Sequence, residues 1–114
     1  MIDTIDAFLA AAAAHPLRSA IVEGRSVTTY ATLEERVRRL AGLFAERDAP
    51  RVLIALPQGA DAYATILAAA LAGGFHTPLN MAAPVAKLAR IAGLLAPDFI
   101  VGGGAALADL QAAA

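Results

Sequence analysis

A three-layer α/β fold built on a parallel sheet, preceded by a helix and a small β-hairpin, is what three features of this 114-residue chain predict. The run Arg51-Val52-Leu53-Ile54-Ala55-Leu56 is apolar after its first residue and bounded by Pro50 and Pro57, as a strand buried on both faces of a parallel sheet should be. Two further short candidate strands, Phe75 to Leu79 and Pro97 to Val101, come after it, each separated from the last by a helical stretch. That alternation of β, α, β, α, β calls for parallel strands joined by right-handed crossovers, with helices laid against the sheet.

Taken in order, Asp3 can cap a first helix whose face is Ile5, Phe8, Leu9 and Ala12, and His15-Pro16 stops it, because the proline ring disfavours helix in the residue before it. Ala20-Ile21-Val22 and Ser26-Val27-Thr28 flank Glu23-Gly24-Arg25, where Gly24 can take a positive φ, so a hairpin is expected. From Tyr30 to Arg47, Leu33, Val37, Leu40, Ala41 and Phe44 share one helical face and the charges fall on the others. Ala60 to Ala72 is an almost uniformly apolar helix, expected to lie deep, with Gly73-Gly74 as its left-handed stop. Asn80 can cap the next helix, Pro84 sits where that helix begins, and Leu88, Ile91, Ala92 and Leu95 form its stripe. Gly102 to Gly104 leads into a final short helix through Leu107 and Leu110.

Composition narrows the function classes. The length suits one domain, residues 1–114, and not two. Hydrophobic residues make up 59% and mean hydropathy is +0.62, yet much of this is alanine, which buries little area. Aromatics are 5% and Trp is absent, so the core is built from many small aliphatic contacts. A net charge of −1 with interspersed signs offers no field for nucleic acid or an anionic membrane, and neither is expected as a partner. The absence of cysteine excludes disulfides and thiolate metal sites and suits the cytoplasm. The apolar run from Ala62 to Phe75 is shorter than the roughly 20 residues of a bilayer span, and the early charges Asp3 and Asp6 are not those of a signal peptide.

Two segments carry a resemblance. Val27-Thr28-Thr29-Tyr30-Ala31-Thr32-Leu33 opens an amphipathic helix, and an apolar helix ending in Gly73-Gly74 runs into Phe75-His76-Thr77-Pro78-Leu79-Asn80. Together they resemble the first two core motifs of the adenylate-forming ligases, the superfamily of acyl-CoA synthetases and peptide-synthetase adenylation domains, worded roughly T-Y-x-E-L and L-x-A-G-x-x-x-P-L-[DN]. Order and spacing agree along essentially the whole chain. Thr32 stands where the family has an acidic residue, and Arg47-Asp48-Ala49-Pro50-Arg51-Val52 replaces its usual G-x-x-x-G-D-x-V approach to the strand. Asn80, where peptide-synthetase domains more often have Asp, leans toward the acyl-CoA synthetases. The resemblance implies an N-terminal subdomain piece of an AMP-forming acid:CoA ligase, which makes an acyl-adenylate from a carboxylate and ATP and passes it to a thiol. ATP, Mg²⁺ and CoA would serve the full-length family member. The family's phosphate loop ending in P-K-G and its C-terminal catalytic Lys have no counterpart in residues 1–114, so the chain alone is expected to be catalytically silent, with no catalytic, cofactor-binding or metal-binding residue of its own.

The remaining chemistry-bearing residues read as structure. Lys87, the single lysine, sits on a helix away from any glycine-rich loop. Gly102-Gly103-Gly104 lacks the third glycine of G-x-G-x-x-G, since Leu107 stands there, and reads as a loop. His76, with Thr77 and Asn80, reads as a strand-edge histidine, and His15 as a solvated loop residue without metal-ligand neighbours. Tyr30 and Tyr63 read as half-buried rings at helix starts, and Arg36, Arg38 and Arg39 as a solvated face balanced by Glu34 and Glu35. Ser19, Ser26 and the threonines have no base beside them. The expected partner is the remainder of a ligase chain or a second copy meeting an exposed apolar surface. An alternative reading is a free-standing, non-catalytic assembly or binding module that kept the fold and lost the chemistry; a third is a small nucleotide- or CoA-binding domain using the Gly102–Gly104 turn.

Overall fold

A computed structural model describes residues 4–103; the Asp3 cap, Gly104 and the final helix through Leu107 and Leu110 lie outside the described residues. The first helix, α1 (Thr4–Ala14), buries Ile5, Phe8 and Ala12, with Leu9 packed at the edge of the same cluster. The hairpin pairs β1 (Ser19–Glu23) with β2 (Ser26–Thr29), Glu23 lying opposite Ser26, so the connection is a tight two-residue loop. Gly24 has φ +59°, and a positive φ at the first central position alone is the requirement of a II′ turn, which glycine meets without an Asn-Gly pair.

Helix α2 (Tyr30–Phe44) is capped by Thr29, whose Oγ1 accepts a hydrogen bond from the Thr32 N–H at 3.3 Å. The T-Y-x-x-L motif is thus a helix N-cap, and the family's acidic residue would occupy the third helical position, as in a capping box. The helix ends at Phe44, short of the expected Arg47, because the chain tightens into turns in which the Glu46 and Arg47 N–H groups donate to Leu43 and Phe44 at 3.2 and 3.1 Å. Ala49, at φ +44°, then reverses the backbone.

Strand β3 (Arg51–Ala55) is the centre of a parallel sheet of order β4-β3-β5, with β4 at Phe75–Pro78 and β5 at Phe99–Gly102. Successive residues of β3 face opposite layers. Val52 and Ile54 meet Phe8, Val37, Phe44, Ala64 and Ala68 of the helices on one side, and Leu53 and Ala55 meet Leu79 and Leu88 on the other. This alternation, with all four residues buried, is the physical meaning of the apolar run and gives the three layers. Phe44 and Phe99, ring centroids 5.1 Å apart, tie α2 to β5. At the start of the ladder Asp98 Oδ2 accepts from the Arg51 N–H, and the Asp98 N–H donates to the Arg51 carbonyl, both at 2.9 Å.

Helix α3 (Ala60–Leu71) is deep on one face only: Ala60, Ala64, Thr65, Ala68 and Ala69 are buried, while Tyr63 is 39% exposed and Leu71 is half-buried. The uniform apolarity hid this, since no polar face marks the outer side. Its end is a Schellman motif: Gly74 N–H donates to Ala69 at 2.9 Å, Gly73 N–H to Ala70 at 3.1 Å, and Gly73 has φ +74°. Gly74 answers a different need, for a Cβ there would lie 2.7 Å from Pro50 Cγ and closer still to the Pro50 carbonyl oxygen. Pro78 closes β4, an edge strand among the described residues, where its missing donor costs nothing, and Leu79 N–H continues the ladder to the Ile54 carbonyl at 2.9 Å.

Asn80 does not cap a helix. Its Oδ1 accepts from the Ala82 N–H at 3.1 Å, a local turn, and α4 (Val85–Leu95) starts only after Pro84. Of the stripe expected for α4, Leu88 alone is buried; Ile91 and Ala92 are half-buried and Leu95 is 36% exposed. Ala96, at φ +46°, ends the helix, and β5 begins at Phe99, two residues after the expected Pro97. Among the described residues no helix is long and apolar enough to cross a membrane.

Candidate functional site

Strand β3 runs to β4 through α3 on one face, and β4 returns past β3 to β5 through α4 on the other. Both direction and face reverse, so the two crossovers share one hand, and the switch point falls between the carboxyl ends of β3 and β5. Open α/β sheets take ligands at such a point. Here a crevice of about 350 Å³ is bordered by Arg36 and Arg39 of α2, Asp61 and Thr65 of α3, and Val101 and Gly102 of β5. A second cleft, about 250 Å³, lies between the hairpin and the start of α3, and Arg36, Leu56 and Asp61 border both.

Several polar groups of this region pair with one another. Arg36 lies 3.7 Å from Asp61, Arg38 bonds Glu34 at 3.0 Å, and Arg39 pairs with Glu35. Each arginine of α2 therefore faces a carboxylate, which leaves little net cationic field for an anionic ligand. Thr65, buried to 1% exposure, donates its hydroxyl to the Asp61 carbonyl at 2.7 Å. The start of α3, reached from a strand through Pro57-Gln58-Gly59, has the form of an anion cradle. Glu23 reaches into it from the hairpin: its Oε1 accepts from the Ala60 N–H at 3.1 Å. Gly59 permits that approach, since a Cβ there would come within 2.7 Å of Glu23 Oε2. The role of Glu23 was not readable from local sequence; the one available signal was a glycine at an N-cap position with no capping side chain, which implies a cap from elsewhere.

The other candidates are scattered. His76 is exposed on edge strand β4, Thr77 points to the opposite face, and Asn80 serves its own turn, so these three form no cluster. His15, in the connection after α1, and Lys87, on α4, are both exposed, and Gly102 borders the crevice without a cradle described around it. Among the described residues there is no group of three His, Cys, Asp or Glu that could hold a metal. Tyr30 and Tyr63, far apart in sequence, border one apolar groove of about 810 Å³ with Phe8, Ile21, Ile66 and Leu67. The Tyr30 ring packs 6.1 Å from Phe8, and the Tyr63 hydroxyl accepts from Gln58 Nε2 at 2.8 Å. Chemically the region is a charge-balanced floor beside an open apolar groove, without a nucleophile and base in contact among the described residues.

Comparison with known proteins places this arrangement. The chain is 36% identical over 104 residues to a probable non-canonical nonribosomal peptide synthetase, CymA, of Salinispora arenicola, covering 89% of this chain and 1% of that protein. It therefore spans a very small part of that relative. A benzoate CoA ligase from Burkholderia xenovorans LB400 superposes with TM-score 0.83 at 20% identity, over 99% of this chain and 24% of the ligase. The N-terminal subdomain of Klebsiella oxytoca NpsA, solved with 3-hydroxyanthranilyl-AMSN, superposes with TM-score 0.78 at 17% identity, over 100% of this chain and 32% of that one. At these identities the two structures speak for the fold. A family model described as AMP-binding enzyme matches residues 8–114, and with nearly the whole chain inside that match, this protein belongs to the AMP-binding enzyme family.

Proposed function

We propose that residues 1–114 form the scaffold portion of the N-terminal subdomain of an AMP-forming acid–thiol ligase, which couples ATP to carboxylate activation and then transfers the acyl group to a thiol. The observation that carries this reading is the switch-point crevice, built in the family's order of elements, whose arginines sit beside the carboxylates of Asp61 and Glu35 and whose adjoining helix start has its first N–H taken by Glu23. A phosphoryl-transfer site needs positioned cations and free donors for the developing charge. This segment supplies a sheet, a crevice floor and an apolar groove instead, so it is silent alone, and ATP, Mg²⁺ and the thiol belong to the remainder of a ligase chain.

The acceptor thiol is CoA if Asn80 marks the acyl-CoA synthetase branch. In the structure Asn80 accepts one hydrogen bond from Ala82, a task Asp performs equally well, so this residue does not separate the branches. The resemblance to CymA favours the peptide-synthetase branch.

Grafting residues 1–114 in place of the matching segment of an active adenylation domain tests the scaffold. A folded chimera that retains carboxylate-dependent ATP–pyrophosphate exchange supports it, and a folded chimera with none refutes it. The 114-residue chain alone is expected to show no exchange with any carboxylic acid; exchange above a no-protein blank would overturn the silent reading.

A further inference from the structure

Val22 and Val27 face each other across the hairpin, and both are exposed, 62% and 54%. Because the two-residue loop makes Glu23 and Ser26 the hydrogen-bonded pair that closes the turn, the next pair, Val22 and Val27, is of the non-bonded kind. The N–H and C=O of Val22 therefore point away from β2. Among the described residues β1 has β2 as its one strand neighbour, and no turn, loop or cap bond from another element reaches Val22. Natural sheets blunt such edges with lysine, proline or a bulge. The irregularity in β1 lies between Ser19 and Ile21, which leaves Val22 unprotected. Beside this edge runs the groove bordered by Phe8, Tyr30, Ile66 and Leu67, and among the described residues no charged side chain lines it.

We propose that the outer edge of β1 is a self-association surface, on which a second copy of this chain adds its own β1 in antiparallel register to make a four-stranded sheet. The occupant follows from the surface. Unsatisfied backbone donors and acceptors specify a strand, and a second β1 suits the apolar lining described for the groove because its one charged residue, Glu23, already has a partner in the Ala60 N–H. A two-fold centred on Val22 lets the two Val22 residues exchange both backbone bonds, and it is a closed arrangement. It sets Glu23 opposite Ile21 and Arg25 opposite Ser19, so no like charges face each other. The side chains Val27, Val22, Val22 and Val27 then form one apolar row across the sheet, in which each exposed Val22 gains its mate as a lateral neighbour.

Sedimentation equilibrium of the chain from micromolar to millimolar concentration tests this. The mass is expected to rise from 11.6 kDa toward twice that value. Val22→Pro removes the outward N–H without removing a hairpin bond, a site where an edge strand tolerates proline, and should weaken association by at least about tenfold. Val22→Lys should act in the same direction through edge charge. Leu94→Ser, altering a leucine 80% exposed on the opposite layer, should leave association unchanged. A monomer at every concentration overturns the proposal. So does undiminished dimer in a folded Val22 variant, or loss of dimer in Leu94→Ser alone. If both Val22 variants unfold, hydrogen exchange of the unaltered chain decides: protection of the Val22 amide that rises with concentration supports the interface, and protection independent of concentration overturns it.

Discussion

Gly74→Ala tests the joint between α3 and the sheet most directly. The added Cβ would sit 2.7 and 2.9 Å from Pro50 Cγ and Cδ and nearer still to the Pro50 carbonyl oxygen. That oxygen also accepts from the Phe75 N–H at 2.8 Å, and Pro50 is fully buried, so it cannot withdraw into solvent. Gly74 cannot withdraw either without loosening its bond to Ala69 at 2.9 Å. Overpacking costs about 1–3 kcal/mol and each strained backbone bond about 1 more, so the expected loss is about 3–5 kcal/mol. For a domain of this size that lowers Tm by on the order of 10–20 °C. Two substitutions calibrate the result. Gly73→Ala meets no atom within 4 Å but forces alanine to φ +74°, for a loss of about 1–2 kcal/mol. Gly93→Ala, inside α4 and also without a neighbour within 4 Å, should stabilise by about 0.5–1 kcal/mol. Thermal unfolding followed by circular dichroism reads all three. A Gly74→Ala loss no larger than that of Gly73→Ala would show that Pro50 yields, and the close-approach argument would be wrong.

Glu23→Ala should destabilise by about 1 kcal/mol as the cap on α3 is lost, whereas Glu23→Gln, which keeps an acceptor for the Ala60 N–H, should lose less; equal losses in urea melts would mean the carboxylate acts as charge alone. Ala96→Gly relieves a left-handed alanine and should gain about 0.5–1 kcal/mol, read as a higher urea midpoint at unchanged slope; a fall would mean that the site is not left-handed in solution. Thr32→Glu places an acid in the first turn of α2, as the family motif does, and should gain about 0.3–1 kcal/mol that shrinks at high salt; a gain insensitive to salt would exclude the dipole explanation.

The elements that the sequence made legible are those whose signal is periodic and local. The run at Arg51–Leu56 became the central strand because alternate residues had two apolar layers to meet, and the face through Leu33, Val37, Ala41 and Phe44 became the inner side of α2. The alternation of strands and helices carried the parallel sheet, whereas the strand order β4-β3-β5, and with it the switch point, came only from the structure. What was not legible depends on contacts distant in sequence. The Glu23 bond to Ala60 spans 37 positions, and the groove joining Tyr30 to Tyr63 exists only once α1, β1 and α3 converge. Ala49 and Ala96 take positive φ although alanine disfavours it, so nothing in residue type announced those turns. Asn80 is instructive in the opposite sense: a good capping residue just before a helix used its oxygen two residues on, because Pro84 already fixed the helix start.

The two faces of the sheet are unequal, and that asymmetry bears on how the segment could serve as a scaffold. The face covered by α1, α2 and α3 buries Val37, Phe44, Ile54 and Ala68 almost completely. The face covered by α4 rests on Leu53, Ala55, Leu79 and Leu88 and leaves Leu94 80% exposed. Fully burying a large aliphatic side chain contributes about 1.5–3 kcal/mol, so α4, with Leu88 as its single buried residue, is held by far less than α2. Its start at Pro84 also has no side-chain cap. Local opening should therefore be cheapest at α4. Native-state hydrogen exchange is expected to show α4 amides exchanging through local openings at free energies well below the global value, and β3 and α2 amides exchanging only on global unfolding. Equal protection of α4 and α2 would refute the inference from burial. The expected gradient would place the mobile layer on the side away from the apolar groove and leave α2, α3 and β3 as the rigid side of the segment, as the proposed scaffold role requires.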